Sequence, residues 1–123
     1  MDRLAHLESR PLRGGGRLYI ARTFRQRLLG LAGLRTLPAD CALLITGCAS
    51  VHTAWMRFPI DVVFIGPKGH VLRVVEGLRP WRTARCRGAA AVVETRAGQA
   101  ERLGFVAPAT DSPAGSGTSA KRA

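Results

Sequence analysis

Two β-branched runs, Ile60–Ile65 (IDVVFI) and residues 71–75 (VLRVV), flank the short connection GPKGH. Such runs fit a pleated, half-buried surface, and Gly and Pro at their junction suit a turn, so this stretch reads as a β-hairpin. Around it lie further short strand candidates: residues 17–22 (RLYIAR), 41–46 (CALLIT), 52–58, 78–83 and 89–95 (AAAVVET). Two segments have helical character. Phe24, Leu28 and Leu31 recur at helical spacing behind a possible cap at Thr23 and before Gly33, and residues 97–103 (AGQAERL) have helix-forming composition ending at Gly104. The expected fold is mainly β: a single compact antiparallel sandwich or distorted barrel, with one or two short helices against one edge.

A length of 123 residues suits one domain and leaves too few for a second core. Residues 1–16 are polar, Arg-rich and end in three glycines, and read as a loose N-terminal arm. Residues 17–107 carry the β-rich domain, and 108–123 (PATDSPAGSGTSAKRA) form a Pro/Gly/Ser/Ala tail with nothing to pack. Apolar residues make up 46% and aromatics only 6%, so the core is built from Leu, Val, Ile and Ala. No window approaches a membrane-spanning run and the N-terminus MDRLAH lacks a secretory apolar stretch; a cytoplasmic location, away from membranes, is expected.

The formal charge of +11 suggests phosphate partners, because clustered cations release counterions on meeting them. The arginines, however, are scattered along the chain instead of forming one stripe, which weakens the case for nucleic acid. Cys41, Cys48 and Cys86 contain no C-x-x-C pair and read as reduced, largely buried thiols. No phosphate loop, nucleophile elbow or Ser-His-Asp order is present.

The chemistry-bearing stretch is residues 48–65, CASVHTAWMRFPIDVVFI. Cys48, His52 and Met56 recur every four residues, a spacing that returns to one side in helix or strand, and sulfur with imidazole would suit a copper(I)-type ion. The competing reading, which we favour, has Met56 in the core and His52 on backbone, with no metal and no cofactor. Asp61 lies inside an apolar run where a carboxylate needs partners, and Arg57 and Arg82 are the first expected. It is then either a structural ion pair or part of a polar pocket, in which His52, Arg57, Asp61 and Arg82 converge on a small anionic or polar ligand. Trp81 follows Pro80 as a pocket wall, a partner surface or ordinary core, and Glu94 reads most simply as a charge at a strand end, the alternative being a place within reach of the arginine that meets Asp61.

The sequence SVHTAWMRFPIDVVFI (residues 50–65), followed by Pro80-Trp81-Arg82 and by Val93-Glu94 with Ala97-Gly98, resembles the prokaryotic domain-of-unknown-function family 192 (DUF192). An upstream echo is RLLGL at residues 27–31, so the resemblance spans residues 18–106. It implies a compact, mainly β fold of the sandwich or distorted-barrel kind, and no established activity or site residues. Two departures stand out: Ala32 occupies the position of a methionine expected after Gly-Leu, and the usual closing Gly-Asp strand is absent.

Three functions compete. The first is a module binding a small molecule or a protein partner through His52, Arg57, Asp61 and Arg82. The second is an enzyme with His52 and Asp61 as acid and base, which requires both in one cavity. The third is an Arg-driven binder of nucleic acid or another acidic partner, with steep salt dependence.

Overall fold

The computed structural model describes residues 7–12, 15–22, 37–54 and 56–107. Among the described residues eight strands run in chain order as β1 (Glu8–Pro11), β2 (Arg17–Ala21), β3 (Cys41–Thr46), β4 (Ser50–His52), β5 (Ile60–Ile65), β6 (Val71–Leu78), β7 (Thr83–Arg85) and β8 (Ala91–Arg96). Six form one sheet in the order β1-β2-β3-β8-β5-β6, and β4 pairs with β7 as a separate antiparallel ribbon. The hairpin anticipated from the β-branched runs is β5–β6, with Ile65 opposite Val71 and the intervening turn closed by Gly66 N–H to His70 C=O at 2.8 Å.

Alternation along the strands gives the sheet two faces. One face carries Leu43, Ile45, Ile60, Val62, Phe64 and Val92, and packs with Leu37, Met56 and the inner residue of β4, Val51. The other carries Ala42, Val63 and Val93 beneath Ala100 and Leu103. The chain after β8 therefore folds back over the second face, while the ribbon lies over the first.

Several expectations are corrected. The sheet is open, with β1 and β6 at its ends, so the described residues form no closed barrel. Nor is it wholly antiparallel: β2 and β3 pair in parallel, Tyr19 opposite Leu43. Residues 8–11, read as part of a loose arm, form the edge strand β1 against β2. The helix expected over residues 97–103 is instead a series of turns, because Gly98 sits at φ 86° and the N–H groups of Gly98 and Ala100 are drawn to the Asp61 carboxylate. One α-type bond remains there, Leu103 N–H to Gln99 C=O. The helix expected over residues 24–31 and the tail lie outside the described residues.

Asp61 explains much of this local geometry. Between Ile60↔Leu78 and Val62↔Val75 the register shifts, leaving an extra residue on β6. Gly77, at φ 64°, takes that position, and its N–H donates to Asp61 Oδ1 at 2.9 Å. Oδ2 accepts from Gly98 N–H at 2.9 Å and Ala100 N–H at 3.1 Å. The carboxylate is 1% exposed. Its partners are three backbone donors where an arginine had been expected, and charge-assisted bonds of this kind offset its desolvation. Asp61 ties the bulge of β6 to the turn that covers the second face.

Candidate functional site

The β4–β7 ribbon extends beyond its assigned strands. Ser50, Val51 and His52 face Arg85, Ala84 and Thr83, and backbone bonds continue the ladder at both ends, from Cys86 N–H to Ala49 C=O and from Thr53 N–H to Arg82 C=O. Thr53 then stops the strand that the sequence carried on toward Phe58. It is fully buried, its Oγ1 accepts from Arg82 N–H at 2.7 Å and donates to Arg79 C=O at 2.6 Å, and its C=O accepts from Met56 N–H and Trp81 N–H. Both chains turn around this one side chain. Trp81 is held there at φ 63°, a conformation that bulky residues rarely adopt, with 59% of its surface exposed. A sparsely populated conformation of this kind persists only where the surroundings fix it, here through the bond from Trp81 N–H to Thr53 C=O.

Val51 and Ala84 turn toward the core, so the opposed pairs Ser50/Arg85 and His52/Thr83 share the outer side. These six residues line an open groove of about 410 Å³. Two hydroxyls, an imidazole and a guanidinium border it, and no carboxylate is among the lining residues. The floor is braced from behind by Arg73, whose Nη1 donates to Arg85 C=O at 2.9 Å.

The residues expected to converge do so only in part. His52 borders the groove and Arg82 immediately precedes β7, exposed, with its backbone fixed by Thr53. Arg57 is exposed in the connection leading to β5. Asp61 is on the far side of the six-stranded sheet, facing the turn after β8, whereas the ribbon lies over the opposite face. His52 and Asp61 therefore share no cavity, and the acid–base pair that needs one is not assembled. The Cys48, His52 and Met56 set is not brought together either: Met56 is buried in the core, His52 is exposed, and Cys48 Sγ lies 2.8 Å from Ser50 C=O. No group of three or more His, Cys, Asp or Glu suited to a metal occurs among the described residues.

The reading of Glu94 as a charge at a strand end is overturned. Glu94, on the central strand β8, stands opposite Leu43 on one side and Val62 on the other, and is 5% exposed. Those neighbours place it on the ribbon-covered face. Among the described residues no donor or cation meets its side chain, and burial pushes its pKa up from 4.5 to about 7. The sequence carried a signal for this: Glu94 lies two residues after Val92, so strand alternation assigns both to one face.

Solved structures share the architecture. A protein of unknown function from Novosphingobium aromaticivorans DSM 12444 superimposes with a TM-score of 0.71 at 22% identity, covering 84% of each chain. A "putative transcription regulator" from Sinorhizobium meliloti 1021 gives 0.66 at 24% identity, over 80% of this chain and 85% of that one. At such identities the likeness is one of fold. No curated protein matches the chain. The family model of DUF192, described as Uncharacterized ACR, matches residues 12–109, which begin just after β1 and span β2 to β8, the ribbon included, and the turn over Asp61: the chain belongs to this family of uncharacterised domains.

Proposed function

We propose that this domain is a binding module for a small anionic ligand, seated on the outer side of the β4–β7 ribbon. The observation that carries the reading is the make-up of the groove: Ser50, His52, Thr83 and Arg85 offer donors, and no carboxylate opposes them. Arg85 supplies the fork that matches a carboxylate or phosphate, and the two hydroxyls and the imidazole add directed bonds. Arg82 and the exposed ring of Trp81 stand next to this row in the chain and extend it beyond His52. The formal charge of +11 draws anions toward the surface without choosing among them. The reading takes the compartment to be cytoplasmic, in keeping with three free thiols. No helix among the described residues is long and apolar enough to cross a membrane.

Calorimetric titration of the full chain with citrate tests the reading. Saturable binding that falls at least tenfold in both Arg85→Ala and His52→Ala is expected. Equal affinity in wild type and both variants would overturn it.

A further inference from the structure

We propose that Cys48 and Cys86 form a reversible disulfide that staples the open end of the ribbon. The bond from Cys86 N–H to Ala49 C=O, 3.0 Å, sets Cys86 opposite Ala49 and one residue in register from Cys48. In a regular antiparallel ladder such diagonal neighbours have Cα atoms about 6 Å apart, within the span of about 6.8 Å that a disulfide bridges, but their side chains would leave opposite faces. The chain bends at this point: Gly47 has φ 66°, and Cys48 N–H is bonded to Ala90 C=O. Ala49 is consequently exposed while Cys48 packs, with Cys86, against the core cluster beneath the ribbon. Both thiols are half-buried and free, and each rests on a backbone carbonyl, Cys48 on Ser50 and Cys86 on Arg87. A side-chain rotation releases either one.

Cys41 differs in its setting. It is buried in β3, its thiol lies 3.6 Å from Asp40 Oδ1, and burial together with that carboxylate pushes its pKa up. It serves as an internal control.

The oxidant is a small-molecule disulfide such as oxidised glutathione. One protein thiolate attacks a glutathione sulfur, forming a mixed disulfide and expelling one glutathione thiolate. The second protein thiolate attacks the protein sulfur of that mixed disulfide, forming the Cys48–Cys86 bond and expelling the other glutathione. The two protein thiol protons pass to the two departing thiolates, so two protein thiols are oxidised as one disulfide is reduced.

The test exposes the full chain to oxidised glutathione, then alkylates, digests and maps it by mass spectrometry, with a melting curve alongside. A peptide pair linked through Cys48 and Cys86, Cys41 recovered alkylated, and a Tm raised by roughly 10 °C that dithiothreitol reverses are expected. Cys48→Ser should instead retain one glutathione on Cys86 and show no such rise. Stable glutathione adducts on wild-type Cys48 or Cys86, a link through Cys41, or no oxidation at all would overturn the proposal.

Discussion

Two buried carboxylates on adjacent strands meet opposite fates. Asp61 is satisfied by Gly77, Gly98 and Ala100 N–H groups, and Asp61→Asn turns an acceptor-only group into one whose amide N–H₂ faces a donor. We expect a loss of about 3 kcal/mol in urea unfolding. Glu94 has no such partners among the described residues, and its folded pKa of about 7 lies above the ordinary 4.5. Between those values the folded state holds a proton that the unfolded state has released, so stability falls as pH rises through the window and the full penalty applies above about pH 7. The expected loss is roughly 3 kcal/mol. Glu94→Gln should flatten the pH dependence of unfolding free energy between pH 5 and 8, and an unchanged slope would remove Glu94 as its source. The burial of Asp61 was legible in the sequence from its apolar neighbours. Its partners were not, because they are backbone groups of a bulge and a turn that side-chain patterns do not encode.

Among the elements, the ribbon depends on Thr53. Its hydroxyl bonds both the N–H of Arg82 and the C=O of Arg79, so Thr53→Val keeps the shape and leaves both groups without it. A cost of about 2 kcal/mol is expected, with hydrogen exchange quickening at the amides of Thr53, Trp81 and Arg82 while β3, β5 and β8 stay protected. Equal quickening throughout would mean that the ribbon does not open by itself. The hairpin β5–β6 was readable because both runs are β-branched and bounded by turn residues. The end of β4 was not, since apolar residues continue to Phe58 and only the tertiary pairing of Thr53 with residues 79–82 stops the strand. Residues 97–103 misled for a related reason: helix-forming composition lost to a carboxylate from another strand that claimed two of its N–H groups.

At the scale of the molecule, the mainly β class followed from strand patterning, whereas the open mixed sheet did not. Parallel pairing of β2 with β3 joins segments separated by a long connection, and nothing local in either strand specifies its partner. The candidate site was half legible. His52 and Arg82 were named from the sequence, but Thr83 and Arg85 become neighbours of His52 and Ser50 only through the ribbon's register. The scattered arginines gain meaning in the same way, since Arg85 acquires a setting from the groove that its sequence position lacks. Chemical-shift mapping of the ¹⁵N-labelled full chain during titration with inorganic phosphate tests whether the ribbon's outer side takes a small anion. Saturable shifts centred on Ser50, His52, Thr83 and Arg85, with a Kd on the order of 1 mM, and their loss in Arg85→Ala, are expected. Shifts spread evenly over exposed arginines, or no saturation at the ribbon, would contradict it.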